Sequence, residues 1–91
     1  MALSWERLKD PDEVLDYQVN WEPHLAGDTI ATSSWIVPLG ITKDSDSTTT
    51  LKTTIWLSGG TIGQTYEFVN RVITAGARTF DQTVKLKVKV R

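Results

Sequence analysis

The last twelve residues of the chain alternate between apolar and polar side chains. A period of two residues is typical of a β-strand with one buried and one exposed face. The pattern therefore predicts that the chain ends on a strand of an antiparallel sheet. The apolar set is Phe80, Val84, Leu86, Val88 and Val90, and the basic set is Lys85, Lys87, Lys89 and Arg91.

The same period recurs in four earlier segments, which are residues 14–21, 29–37, 48–57 and 65–74. In the last of these, Val69 and Ile73 lie opposite Tyr66, Phe68 and Val72, which predicts a central strand buried on much of both faces. The segments between the strands contain Gly, Pro and short polar residues, which favour turns. We expect residues 22–28 and the polar segment Lys43 to Ser47 to be loops, and no helix is predicted.

About six or seven short strands in one small chain predict an all-β fold. The favoured architecture is an immunoglobulin-like antiparallel β-sandwich, and a small barrel is the alternative. Tyr66 follows a glycine-rich turn, where such sandwiches often use a tyrosine to fix a corner. Residues 1–13 lack the alternating pattern and are interpreted as an N-terminal arm, and residues 14–91 as a single domain.

Composition narrows the classes of function. A chain of 91 residues has room for one core, and without cysteine it has no disulfide or thiolate site. A net charge of −1 gives no general attraction to nucleic acid or to anionic membranes. No apolar run has the length of a signal peptide or of a membrane span. We expect a soluble protein without nucleic-acid or membrane partners.

Candidate catalytic and metal-binding residues are few. His24 is the only histidine and is interpreted as a loop residue. Asp44 and Asp46 offer oxygen atoms to Ca²⁺, but the segment lacks the further ligands of an EF-hand. The glycine-rich segment 58–63 lacks the lysine of a phosphate-binding loop. The acidic cluster Asp10, Asp12, Glu13 and Asp16 is interpreted as surface, with a hydrolase site as the alternative. We therefore predict no catalytic residue, cofactor or metal.

Several side chains are candidates for an interface with another protein, because the alternating pattern does not assign them to the core. Trp5 and Leu8 lie in the arm, and Trp56 lies opposite the apolar face of its strand. Each tryptophan is either core or an exposed anchor for a partner, because tryptophan is enriched in binding hot spots. Lys85 and Lys87 either protect a sheet edge from unwanted pairing or contact an acidic partner.

The chain resembles a family of small phage virion proteins, the fiber-tail adaptor proteins of tailed bacteriophages and prophages. The likeness runs from about Lys9 to Val90. It rests on the order and spacing of short motifs. In the first half these are Leu15-Asp16-Tyr17, Trp21, Gly27-Asp28-Thr29-Ile30 and Trp35, and in the second half Trp56-Leu57-Ser58-Gly59-Gly60-Thr61, Gly63, Tyr66, Asn70-Arg71, Gly76 and Asp81-Gln82.

The resemblance implies a non-enzymatic structural protein of the virion, made in the cytoplasm of the bacterial host. It implies an adaptor that links tail and tail-fiber components through protein–protein contacts, in several copies, without a small-molecule substrate. Two alternatives stay open at this point. One is a head-decoration protein, and the other is an immunoglobulin-like module that binds a carbohydrate or a host-surface ligand.

Overall fold

The chain folds almost entirely as β-strands. The computed structural model describes residues 3–5 and 9–89, with the backbone alone for Leu3. In that part of the chain there are seven strands and one short helix. The helix α1 is Glu22–Leu25. The strands are β1 (Leu3–Ser4), β2 (Leu15–Asn20), β3 (Ile30–Ile36), β4 (Ile41–Thr48), β5 (Lys52–Gly59), β6 (Thr65–Thr74) and β7 (Thr79–Lys87).

The strands form two sheets that pack face to face. Sheet 1 has the order β1-β7-β6-β3, and sheet 2 has the order β2-β5-β4. All neighbouring strands are antiparallel except β1, which pairs with β7 in parallel through Leu3 and Ser4. This division of strands is that of an immunoglobulin-like sandwich. The predicted fold class is therefore confirmed.

The core lies between the sheets and consists of the inward-facing residues of alternate strand positions. Towards one end of the sandwich it contains Tyr17, Ile41, Ile55, Leu57, Tyr66, Phe68, Leu86 and Val88. Towards the other end it contains Val19, Trp21, Leu25, Ile30, Val72 and Val84. Trp5 and Trp35 pack against both groups and so join them into one core.

A fully buried amide, Asn70 in β6, connects the two sheets inside this core. Its Oδ1 accepts hydrogen bonds from Trp21 Nε1 at 2.9 Å and from Thr53 Oγ1 of β5 at 2.6 Å. Its Nδ2 donates to Ser33 Oγ and to the Ser34 carbonyl oxygen of β3, both at 2.9 Å. The amide oxygen thus accepts two bonds and the amide nitrogen donates two, which is its full capacity. A buried polar group satisfied in this way fixes the position of one sheet relative to the other.

A buried lysine attaches the segment before β2 to the sandwich. Lys9 is fully buried, and its Nζ donates to the carbonyl oxygens of Gly59 at 2.6 Å and Asp10 at 2.8 Å. Its backbone pairs with Val88, just beyond β7. Burial lowers the pKa of Lys9, and nearby carboxylates, first Glu13 and then Asp10, oppose that effect. Main-chain carbonyls hold this ammonium, so the attachment depends on the path of the backbone as well as on charge.

A second polar contact closes the opposite end of the sandwich. Asp28, before β3, accepts hydrogen bonds through Oδ1 from the backbone N–H of Thr29 at 2.8 Å and of Gly76 at 3.1 Å. Gly76 lies in the β6–β7 hairpin, where a Cβ would come within 2.7 Å of Asp28 Oδ2. The hydrogen bond from the Thr74 side chain, and after it the one from Thr29, lowers the pKa of Asp28. Ionised Asp28 therefore ties the hairpin to the chain that enters β3.

The predicted tyrosine corner is present. The Tyr66 hydroxyl accepts a hydrogen bond from the backbone N–H of Thr61 at 2.8 Å, within the glycine-rich turn between β5 and β6. Gly40, in the β3–β4 turn, has a φ of 96°, and a Cβ there would lie 3.3 Å from the Tyr66 ring. One tyrosine thus positions two turns at the same end of the sandwich.

Four sequence predictions are corrected by the structure. Lys43 to Ser47 is part of strand β4. Its polar side chains give no sequence signal for a strand, and the segment is extended because its backbone pairs with β5. Residues 22–25 form the short helix α1. The strand predicted to begin at residue 48 begins at Lys52, after a turn. The outer face of β6 is not buried, since Ile73 is exposed there.

We expect Asn70→Ala to lower the free energy of unfolding by about 3 kcal/mol, because it leaves several buried partners without a hydrogen bond. Thr53→Val removes one donor and preserves the shape, and we expect a loss of about 1 kcal/mol. Urea unfolding followed by circular dichroism measures both. A smaller loss for Asn70→Ala than for Thr53→Val would contradict the role assigned to the amide.

We expect Asp28→Asn to reduce the loss of stability that the protein undergoes in acid. Because folding lowers the pKa of Asp28, its contribution is present above the unfolded pKa of about 3.9. The contribution disappears as the pH falls through the folded pKa. Asp81, whose pKa the Arg71 hydrogen bond lowers, contributes in the same direction. Urea midpoints measured against pH for both Asp→Asn variants separate the two. An unchanged pH dependence in Asp28→Asn would contradict the contact.

Candidate interaction surfaces

Trp5 lies between the edges of the two sheets. Its backbone N–H donates to the Lys85 carbonyl oxygen of β7 at 2.9 Å, and its Nε1 donates to the Gln18 carbonyl oxygen of β2 at 3.0 Å. Its ring is 4.8 Å from the Tyr17 ring and 5.6 Å from the Phe68 ring, centroid to centroid. Trp5 therefore contributes to the core, and a contact between Trp5 and another protein stays a prediction. Leu8, Val90 and Arg91 lie outside the described residues.

Lys85 and Lys87 lie on β7, on the outer face of sheet 1. Lys85 Nζ is 3.7 Å from Glu67 Oε1, across the pair of strands β6 and β7. The same face carries a bidentate pair, with Arg71 Nε and Nη2 donating to Asp81 at 2.8 and 2.9 Å. Exposed pairs of this kind contribute little to stability, because water and salt screen them. The β6 and β7 part of this face carries paired charges, to which Lys87 adds a further cation, beside the exposed side chain of Ile73.

The prediction that these lysines protect a free sheet edge is wrong at Lys85. Strand β1 pairs with β7 at Val84 and Lys85, and Lys9 pairs with Val88. β7 therefore has neighbours on both sides at these positions, and its edge is covered by the N-terminal segment. Contact of Lys85 and Lys87 with an acidic partner stays a prediction.

Trp56 lies in the middle of the outer face of sheet 2. It belongs to β5, the central strand, with Asp16 of β2 and Ser45 of β4 as its register partners. The residue is 40% exposed. Nearby, Ser58 Oγ donates to Asp44 Oδ1 at 2.8 Å. The result is a large, partly exposed aromatic side chain on an otherwise polar and partly acidic face.

A second exposed apolar group lies at one end of the sandwich and consists of Val14, Leu39 and Ile62; we call it the apolar end. Leu39 is 98% exposed and Ile62 is 55% exposed. They lie in the β3–β4 and β5–β6 turns, which Tyr66 holds at the same end. Val14 directly precedes β2, whose first residue pairs with Leu57 near the end of β5. Three apolar side chains from separate segments are thus brought to one end by the fold.

The residues considered for catalysis or metal binding have structural contacts. His24 is in α1, and its ring is 5.8 Å from the Trp21 ring in an edge-on arrangement. Asp46 accepts a hydrogen bond from Lys43 Nζ at 3.1 Å. In the acidic cluster, Glu13 Oε1 accepts from the Asp10 N–H at 2.8 Å, which closes the turn before β2.

Three features are absent from the described part of the chain. It contains no pocket, and within it no group of three or more His, Cys, Asp or Glu residues is placed to hold a metal ion. None of its helices combines the length and the apolar character needed to cross a bilayer.

The sequence singled out Trp56 as either core or interface, and the structure places it on the surface, whereas the apolar end and the buried Lys9 were not predicted. Leu39 lies between Pro38 and Gly40, and an apolar residue in such a turn is the signal that could have identified it. Lys9 carried no signal, because its main acceptor, the Gly59 carbonyl, is distant in the sequence.

The match to a family of phage proteins covers most of this structure. The sequence model of the family described as podophage GP4 fiber-tail adaptor protein gp77 matches residues 9–87. The matched part includes Lys9, Asp28 and Asn70 and all the strands from β2 to β7. A comparison with curated proteins found no match. The resemblance predicted from the motifs is confirmed, and the chain belongs to the podophage GP4 fiber-tail adaptor protein gp77 family.

Proposed function

We propose that this protein is a non-enzymatic adaptor of the virion that binds a tail component with one surface and a fiber component with another. The family description supports a structural role in the phage tail. The observation that carries the proposal is that exposed apolar side chains are gathered in separate places on the fold. An adaptor has to hold two partners at once, and separate surfaces allow this without competition.

The first docking surface in this proposal is centred on Trp56, on the outer face of sheet 2. A partly exposed tryptophan surrounded by polar residues provides a large contact area with few rotamers to immobilise. Asp16 and Asp44 lie on the same face, so a partner with basic side chains around an apolar socket fits this surface best.

The second docking surface is the apolar end, formed by Val14, Leu39 and Ile62. Side chains this exposed gain from burial against a partner, at roughly 25 cal/mol per Å² of apolar area. Their backbone positions are fixed by Tyr66 and by the start of β2. Binding therefore orders little of the chain, which limits the entropic cost.

The N-terminal segment has a supporting role in this proposal. Trp5 binds it to both sheets, and Lys9 binds it to sheet 2. Leu8, Lys85 and Lys87 are further candidate contacts for a partner. Several copies in one virion multiply individually weak contacts into a stable assembly. We propose virion incorporation after synthesis in the host cytoplasm.

A glycan-binding module is the second candidate, because the exposed Trp56 lies beside the carboxylate-bearing Asp16. Aromatic faces with adjacent polar groups suit sugar rings. Binding of wild-type protein to a glycan array, abolished by Trp56→Thr, would favour this function over the adaptor.

We expect Trp56→Thr and Leu39→Ser each to weaken binding to a different partner by about tenfold or more, as hot-spot truncation does. The partners are purified tail and fiber proteins of the same phage, and the measurement is biolayer interferometry with the adaptor immobilised. Each substitution is expected to leave the second partner's affinity unchanged, because the two surfaces are separate.

Two matched variants control for indirect effects. Thr54→Ala changes another residue on the same face of sheet 2 and keeps Trp56, and Thr42→Ser changes an exposed residue near Leu39 in the sequence. Thermal unfolding shows whether all four variants keep the wild-type fold. If the wild-type protein binds the tail and fiber proteins but neither Trp56→Thr nor Leu39→Ser weakens that binding, the two proposed surfaces are contradicted. If the wild-type protein binds none of these proteins, the adaptor function itself is contradicted.

A further inference from the structure

We infer that the free edge of β3 pairs with β3 of a second copy of this chain. The two strands would run antiparallel about a twofold axis and join two four-stranded sheets into one of eight strands. This inference deepens the proposed function by naming one contact between copies of the chain. Its relevance to the virion rests on that proposed function. It uses neither Trp56 nor the apolar end.

The edge of β3 is open beyond its first residue, Ile30, whose N–H donates to the Thr50 carbonyl oxygen at 2.9 Å. β3 pairs with β6 on one side, and no described strand lies on its other side. An open edge presents main-chain N–H and C=O groups that another strand can pair with. A shift in register occurs between Ile30 and Thr32 and leaves the rest of the strand regular. The regular part runs from Thr32 to Ile36, long enough for several ladder hydrogen bonds.

The other sheet edges carry the protections that proteins use against pairing. β4 contains Lys43, Asp44 and Asp46 and has a register shift between Lys43 and Ser45. β1 has only two residues. At β2, the Gln18 carbonyl oxygen already accepts a hydrogen bond from the Trp5 indole. β3 has a register shift only near its start, between Ile30 and Thr32, and no charged residue lies on it.

The absence of charged side chains on β3 favours a second copy of this chain as the strand that pairs with its edge. No residue from Thr29 to Thr42 is charged, so two copies can align their β3 strands without bringing like charges together. Like charges would destabilise such a pair, because residues opposite each other in antiparallel strands are close. Self-pairing of β4 about an axis at Ser45 would instead bring Asp44 of each copy across from Asp46 of the other.

The side chains beside this edge also suit self-pairing. Thr32, Ser34 and Ile36 share the outer face of β3, since their register partners on β6 are outward-facing. With the axis at Ser34, Ile36 of each copy lies across from Thr32 of the other. Ile36 is 64% exposed, and pairing would cover it. Cross-strand pairs of β-branched residues stabilise antiparallel sheets.

Sedimentation equilibrium of the full chain tests the inference over concentrations up to about 1 mM. The expected result is a mass that rises with concentration from the monomer value of 10.2 kDa towards twice that value. Ser34→Lys is expected to raise the dissociation constant of the dimer by about tenfold or more, because two lysines meet at the axis. A monomer over the whole range would overturn the inference.

The matched control is Ser47→Lys on β4. Ser47 is also an exposed serine on an edge strand, but in sheet 2. It is expected to leave the dissociation constant unchanged. Equal effects of the two substitutions would overturn the inference. The inference would also be overturned if Ser34→Lys abolished binding to a tail or fiber protein and left self-association unaffected. That result would assign the β3 edge to a strand of the other protein.

A single cysteine adds a geometric test, because the natural chain has none. Opposed residues in antiparallel strands have Cα atoms about 4.5–5.5 Å apart, within the range that a disulfide can bridge. Mild oxidation is expected to cross-link Ser34→Cys, or its neighbour Thr32→Cys if the axis is displaced, faster than Ser47→Cys. Equal rates for all three would contradict pairing at β3. The cross-linking and sedimentation results do not depend on whether the protein binds tail or fiber proteins. Failure of the β3 pairing can therefore be distinguished from failure of the proposed adaptor function.

Discussion

The structure depends on the hydrogen bonds of one buried side chain, the amide of Asn70. It connects β6 to β3 within sheet 1, to Thr53 of sheet 2 and to the Trp21 indole. Apolar packing alone allows two sheets to slide and repack at small cost. A buried polar group whose donors and acceptors are all hydrogen-bonded does not allow such sliding, because each displacement leaves a buried donor or acceptor without a partner. The orientation of the sheets, and with it the placement of both outer faces, follows from this network.

Two further polar contacts fix the ends of the sandwich in the same way. At one end Lys9 donates to main-chain carbonyls, and at the other Asp28 accepts from main-chain N–H groups. Lys9 and the Tyr66 corner lie at the end that carries Leu39 and Ile62, and Asp28 holds the β6–β7 hairpin at the other end. A small sandwich without disulfides thus exposes apolar side chains on a backbone that its own polar interior keeps in place. Such preorganisation suits a protein that joins others, since little entropy is lost on binding.

The sequence predicted those parts of the fold whose signal is local. The alternation in β2, β6 and β7 identified the strands, and Tyr66 after a glycine-rich turn identified the corner. β4 was missed because all but one of its residues are exposed, so no apolar alternation marks it, and only its pairing with β5 makes it a strand. The burial of Lys9 and the bonds of Asn70 to residues distant in the sequence follow from tertiary structure alone. Trp56 was identified as a candidate by its position opposite an apolar face, whereas the apolar end needed the turns to be assembled first.

Hydrogen exchange at the Trp21 indole, followed by nuclear magnetic resonance, tests the role of the Asn70 network most directly. If the network holds the sheets together, this N–H exchanges only when the whole domain opens, at the rate of the slowest core amides such as that of Phe68. If the indole instead exchanges as fast as the amides of the exposed strand β4, the network opens without unfolding. Apolar packing would then hold the sheets together, and the central role of Asn70 would be contradicted.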